Sequence, residues 1–260
     1  VKEPDVTPTF YSQHGEDYLA WRALGRPNHG YYVEVGALDG RRFSNTYALE
    51  QMGWSGVCIE AHPDYAQMTR GNRPGAIVVH AACCDQDCQS ISFYTNRRGS
   101  LSALTPMDPA LIQQRYSAYF HGYQEVKVPA RTLSTILAEA AAPASIDLLS
   151  IDVEGHELPV LRGLDFDRYL PRIVAVEALG QADEALCDAF MADRGYRFAR
   201  QLSANRFYTR ESELALRLAR QAIDVPLLRT AHPLDPADRD TVIEPQSRSF
   251  LTGLKRLLAG

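Results

Sequence analysis

Residues 145–163 read SIDLLSIDVEGHELPVLRG, and a change of character inside this run decides the fold. Ile146, Leu148, Leu149, Ile151 and Val153 make a nearly continuous apolar segment of strand length, the pattern of a central strand in a parallel sheet covered on both faces. Asp152, Glu154, His156 and Glu157 then crowd the point where that strand gives way to a helix. Ligands of open α/β sheets bind outside the carboxyl ends of the strands. Chemistry is therefore expected at this junction.

Working upstream, YYVEVGALDG (31–40) is a short strand running into a glycine-bearing turn. SNTYALEQMG (44–53) follows as a helix with Ser44 as N-cap and Gly53 as its stop. SGVCIEAHP (55–63) repeats the unit, its strand ending in Glu60 and Pro63 opening a helix to about Asn72. AIVVHAACCD (76–85) reads as a third strand. SISFYTN (90–96) is a further strand at the start of a polar, tyrosine-rich insertion over about 86–124, which carries Arg97, Arg98, Arg115, Tyr116, Tyr119 and His121. Those guanidiniums and rings suit a sugar; a solvated lid is the competing reading. EVKVPAR (125–131) alternates as a strand and TLSTILAEAAA (132–142) as a helix.

Downstream, PRIVAVEAL (171–179) is the fifth core strand, ending at Glu177, and QADEALCDAFMADRG (181–195) is an amphipathic helix. YRFARQLSANRFYTR (196–210) reads as two strands around a turn at 203–205. Strands alternating with helices predict an α/β protein, a doubly wound, Rossmann-like, mostly parallel sheet closed by an antiparallel C-terminal hairpin. Three parts are expected: an N-terminal helical segment or lid over 1–30, the core over 31–210, and a peripheral C-terminal helical extension over 211–260 that ends in the amphipathic run SFLTGLKRLLAG.

A net charge of -5 argues against nucleic acid or an anionic membrane as partner, since both call for an excess of Lys and Arg. No apolar run approaches the roughly 20 residues that span a bilayer, and VKEPDVTPTF lacks the regions of a secretion signal. A cytoplasmic location is the expectation. The odd set Cys58, Cys83, Cys84, Cys88 and Cys187 fits a reducing compartment better than a disulfide framework.

The turn Gly36-Ala37-Leu38-Asp39-Gly40 lacks the middle glycine of the GxGxxG dinucleotide fingerprint, which disfavours a nicotinamide enzyme. Glu34, just ahead of it, would repel phosphate but welcome an ammonium group. S-adenosylmethionine, with an amino group, a sulfonium and no phosphate, suits that turn. Glu60 stands where a carboxylate accepts both ribose hydroxyls.

GYYVEVGALDG, the SNTYAL run, GWSGVCIEAHP, IDLLSIDVEGHELPVLRGL and IVAVE together resemble the FkbM-type methyltransferase family, class I enzymes that use S-adenosylmethionine. YSQHGED (11–17) resembles the opening of the branch associated with polysaccharide biosynthesis. The resemblance implies that Glu34, Gly36 and Asp39 hold the methionine end, Glu60 the ribose, and Ala82 and Cys83 the adenine edge, with Gln13 closing over the cofactor. It implies that Asp152, Glu154 and His156 face the transferring methyl, Asp152 touching cofactor as well. O-methyl transfer to a sugar or glycan hydroxyl is the implied reaction. A polyketide or other secondary-metabolite acceptor, or a cofactor-binding module without catalysis, are the alternatives. Transfer to a hydroxyl needs a base or a metal that acidifies the hydroxyl. Asp152, Glu177 and His156 are the candidate ligands for magnesium or manganese; the competing reading has Asp152 or His156 as base and Glu154 anchoring loop amides. The expected partner is a small-molecule or glycan acceptor, with a homo-oligomer left open.

Overall fold

The computed structural model describes residues 8–96, 102–106, 122–178, 180–235 and 237–245. Helix α1 (Glu16–Ala23) leads into strand β1 (Tyr31–Val35), helix α2 (Tyr47–Gln51), strand β2 (Ser55–Glu60), helix α3 (Pro63–Asn72) and strand β3 (Ile77–His80). Strands β4 (Ala82–Cys84), β5 (Cys88–Thr95) and β6 (Gln124–Thr132) follow, then helix α4 (Leu133–Glu139), strand β7 (Ser145–Ile151), helix α5 (Glu157–Arg162) and strand β8 (Leu170–Glu177). Helix α6 (Gln181–Asp193), strands β9 (Arg197–Leu202) and β10 (Asn205–Thr209), helix α7 (Ser212–Arg220) and strands β11 (Leu227–Arg229) and β12 (Thr241–Ile243) complete the order.

The seven-stranded main sheet runs β3-β2-β1-β7-β8-β10-β9. Five strands are parallel, and β10 is antiparallel to both β8 and β9. The expected doubly wound sheet with its C-terminal hairpin is thus the observed architecture. Apolar residues point both ways from the sheet because both faces are covered. On one face Val33, Ile59, Leu149 and Ile151 pack with Ile136, Leu137, Val160 and Leu161; on the other Tyr32, Leu148, Ile173 and Phe207 pack with Leu19, Leu49, Leu214 and Leu218. The chain winds outward from β1 to β2 and β3, then returns to place β7 on the other side of β1. That reversal is the switch point at which a crevice opens. The ends of β1 and β7, residues 36 and 152, meet there.

Several expectations change. The run 76–85 is two strands, because Ala81 N–H makes the last bond to β2, at the Glu60 carbonyl. Beyond it β2 offers no partner, and β4 pairs instead with β6 in a separate three-stranded sheet, order β4-β6-β5. Helix α2 starts later than expected, with Thr46 at the N-cap, yet the Ser44 hydroxyl still accepts the Thr46 and Tyr47 N–H groups. Glu16 and Asp17, acids in the first turn of α1, are buried. Asp17 accepts N–H groups of Tyr11, Ser12 and Tyr18 and the Ser12 hydroxyl, so the carboxylate folds the N-terminal loop around itself.

The C-terminal extension is not peripheral. Leu214 and Leu218 of α7 belong to the core, and β11 bridges Phe10. Arg97, Arg98, Arg115, Tyr116, Tyr119 and His121 of the insertion, and the closing run 249–260, lie outside the described residues. No helix among the described residues is long and apolar enough to cross a membrane.

Candidate active site

A cavity of about 720 Å³ opens at the switch point. Its floor is the row of strand ends: Gly36 to Leu38 after β1, Glu60 and Ala61 closing β2, Ala81 to Cys83 after β3, Asp152 to Glu154 after β7, and Glu177 ending β8. Gln13, fixed by the Asp17-centred loop, reaches it from the N-terminal side.

Gly36 is required by its neighbours. It sits at φ 86°, and a Cβ there would overlap the Asp152 carbonyl oxygen. The close approach that glycine permits is therefore between the ends of two strands. Gly36 N–H and Ala37 N–H both bond to the Ile59 carbonyl, which ties the turn to β2 as well.

Glu60 is buried, and its two oxygens accept Leu38 N–H and His62 N–H, both at 2.7 Å. Burial pushes its carboxyl up to about 7 against those bonds. Glu34 lines the cavity, but its carboxylate is committed inward. It accepts the hydroxyls of Ser44 and Thr46 and the N–H of Asn45, and pairs with Arg73 at 3.1 Å. Arg73 also pairs with Glu50 at 2.6 Å and is fully buried. Burial opposes its charge, yet Cys58, Glu34, Tyr32 and Glu50 around it outweigh that and raise its pKa. Sequence reasoning missed Arg73, since GNRPG at the end of a helix reads as an exposed loop.

The IDVEG segment forms a tight turn, Glu154 at φ 57° and Gly155 at φ 96°. Glu157, from the first turn of α5, accepts the N–H groups of Val153 and Gly155. That loop-anchoring task belongs to Glu157 and not to Glu154. Asp152 and Glu177 stand side by side at the ends of neighbouring strands β7 and β8, and both line the cavity. Glu177 Oε2 is buried and meets no donor among the described residues. Burial, then the charges of Asp152 and Glu154, raise the Glu177 pKa; burial raises Asp152; burial, then Asp152 and Glu157, raise Glu154.

Two expected assignments meet a different local geometry. Asp39 does not line the cavity; its carboxylate accepts the N–H groups of Arg41 and Arg42 and shapes the far side of the turn. The proposed metal set Asp152, His156 and Glu177 does not assemble. No three His, Cys, Asp or Glu side chains among the described residues are arranged to hold an ion. His156 lines the cavity as the N-cap residue of α5, with Asp85 its charged neighbour, and burial lowers its pKa. Ala82 and Cys83 do line the cavity, with Phe93 and Leu104 beside them.

Residues from the extension, unanticipated from sequence, complete the wall: Arg229, His232, Asp235 and Asp238. Arg42, just past the glycine turn, holds them by bonding the Thr230 carbonyl and pairing with Asp238 at 3.2 Å. A Pro-rich, charged stretch carries no periodicity that would have marked it as a cavity wall.

Residues 34–198 match the Methyltransferase FkbM domain, more than half of the chain. The chain belongs to the FkbM methyltransferase family. Among solved structures it is similar to a precorrin-6y C5,15-methyltransferase from Geobacter metallireducens GS-15, with 11% identity over 80% of this chain and 97% of that one, TM-score 0.41. It is also similar to a TehB-like SAM-dependent methyltransferase from Corynebacterium glutamicum, with 12% identity over 77% of this chain and 89% of that one, TM-score 0.41. A search of curated proteins finds no match.

The FkbM family implies S-adenosylmethionine as cofactor, and the residues present fit it. Asp152, Glu154 and the orphaned Oε2 of Glu177 gather acids at one end of the cavity, which suits a molecule carrying positive charge there. Glu60 ends β2, the strand on the opposite flank of β1 from β7. Asp152 and Glu60 would hold the cofactor from the two flanks of β1, with Ala82 and Cys83 beyond Glu60.

Proposed function

We propose that the protein is an S-adenosylmethionine-dependent O-methyltransferase whose acceptor is a hydroxyl of a sugar or glycan. The observation that carries this reading is the Asp152–Glu177 carboxyl pair at the switch point, beside the glycine turn. A hydroxyl, unlike a neutral amine, is a poor nucleophile until its proton is taken or shared, so O-methylation calls for a base at this place.

Bound there, the cofactor supplies a methyl group on a positively charged sulfur. The chain's residues then have three tasks. Gly36, Leu38 and Glu60 hold the cofactor's orientation, so that the methyl points to one end of the cavity. Asp152 accepts the acceptor's hydroxyl proton on its carboxylate, and the neighbouring Glu177, which burial holds toward its neutral form, adds little repulsion to that charge. A base with a pKa raised by burial is nearer to the working pH and stronger than an exposed Asp. The cavity leaves room for an acceptor beside the cofactor.

The sugar acceptor is supported by the charged and hydrogen-bonding wall of Arg42, Arg229, Asp235 and Asp238, which suits a ring covered in hydroxyls, and by the YSQHGED opening. The test incubates the protein and labelled S-adenosylmethionine with free sugars, nucleotide-linked sugars and glycan extract of the host. Label in an alkali-stable methyl ether of a sugar is the expected result. Label confined to amines, or to non-sugar phenols, would overturn the acceptor class.

A further inference from the structure

The glycine turn is held in shape from outside by one face of a helix. Thr69 and Asn72 stand at i and i+3 at the C-terminal end of α3, the spacing that stacks side chains on one face, and Arg73 follows as its C-cap. They reach three consecutive carbonyls of the turn. Thr69 Oγ1 lies 2.7 Å from the Leu38 carbonyl and 2.8 Å from that of Tyr65, its one proton divided between them. Asn72 Nδ2 donates to the Asp39 carbonyl at 2.9 Å, and Arg73 donates to the Gly40 carbonyl at 3.0 Å.

The turn needs such a hold. Leu38 sits at φ 51° and Phe43 at φ 57°, left-handed conformations that are costly for residues with a side chain and persist only where surroundings over-determine them. Gly40, at φ 80°, has no room for a side chain: a Cβ would come within 2.8 Å of Arg73 Cγ and 2.9 Å of Thr69 Cγ2. Glycine thus lets the helix approach close enough to bond. Leu38 is gripped through both of its backbone polar groups, its N–H by Glu60 and its carbonyl by Thr69. Glu60 ends β2 and Thr69 lies on α3, the next element, so a single βα unit carries the ribose carboxylate and the clamp on the neighbouring turn.

We infer that Thr69, Asn72 and Arg73 are positioning residues for cofactor binding, acting through the carbonyls of Leu38, Asp39 and Gly40. The inference rests on the proposed cofactor reading. None of the three lines the cavity, so none touches the ligand itself.

Calorimetric titration with S-adenosylhomocysteine tests it. Asn72 is exposed, so Asn72→Ala leaves the melting temperature nearly unchanged, and Thr69→Val keeps the buried volume. Each is expected to weaken binding about tenfold, the loss of one hydrogen bond's worth of turn preorganisation. Gly40→Ala is expected to weaken it further. Tyr196→Phe serves as control, since it removes a buried hydrogen bond to the Pro171 carbonyl at the opposite end of the sheet. It lowers the melting temperature and leaves the affinity unaltered. Tight wild-type binding that Asn72→Ala and Thr69→Val leave untouched overturns the inference, as does an equal loss in Tyr196→Phe. Wild-type protein that fails to bind S-adenosylhomocysteine sinks the cofactor reading, and the inference with it.

Discussion

Replacing Gly36 by Ala tests whether the turn after β1 sets the place of the base. Two costs can be worked out. At φ 86° an Ala is forced into the left-handed region, about 1–2 kcal/mol by itself. That corresponds to a fall in melting temperature of roughly 2–8 °C for a domain of this size. The second cost is local: the new Cβ overlaps the Asp152 carbonyl oxygen, whereas real Cβ atoms essentially never come within 3.0 Å of such an atom. Neither partner is a flexible side-chain end, so the two backbones must part by about 1 Å, and a misplacement of that size costs on the order of 100-fold in rate. The expected variant is folded, moderately less stable, and slow. Initial rates with labelled S-adenosylmethionine and host glycan extract, circular dichroism and S-adenosylhomocysteine titration measure the three quantities. A folded Gly36→Ala protein that transfers methyl at the wild-type rate would refute the reasoning, because Asp152 would then not depend on the contact.

Asp152→Ala is expected to abolish transfer while leaving S-adenosylhomocysteine affinity largely intact; parallel loss of both would make Asp152 a binding residue and not a base. Glu177→Gln should separate stability from activity. The raised acid takes up a proton on folding, so above its ordinary pKa of 4.5 it costs stability that a neutral Gln does not. The variant should melt higher than wild type at pH 8 and transfer more slowly, and a lower melting temperature would argue for a structural role. Glu60 gives a pH dependence with a definite sign. Its folded pKa of about 7 lies above the ordinary 4.5, so the folded protein binds the extra proton between those values and loses stability as pH rises through them. A ribose diol donates to the carboxylate form, so S-adenosylhomocysteine affinity should rise from pH 5 to about 8 with release of a proton. Affinity flat across that range in Glu60-containing protein, measured in buffers of differing ionisation heat, would contradict it.

The comparison of sequence with structure turns on which signals are local. Apolar runs and punctuating glycines are local, so the strands of 31–35, 55–60, 145–151 and 170–177 and the hairpin of 197–209 could be read directly. The adjacency of Asp152 and Glu177 was legible too, because consecutive parallel strands bring their carboxyl ends together. What the side chains do once there was less so. Glu34 looked like a ligand for an ammonium group, but a buried cation from 39 residues away, Arg73, shares its carboxylate. Asp39 looked like a cofactor contact, but the nearest unsatisfied N–H groups were those of its own turn.

By itself, then, the chain's sequence determined the alternation of elements, the family, and the acids gathered at Ser145–Ile151 and just beyond, since all of these follow from short-range pattern and spacing. Only the tertiary structure decided which acids face a ligand and which face a partner. A carboxylate takes whichever donors the fold brings within about 3 Å, and Arg73, Thr69 and the wall from Arg229 to Asp238 reach the site across long stretches of chain, with no periodicity to announce them.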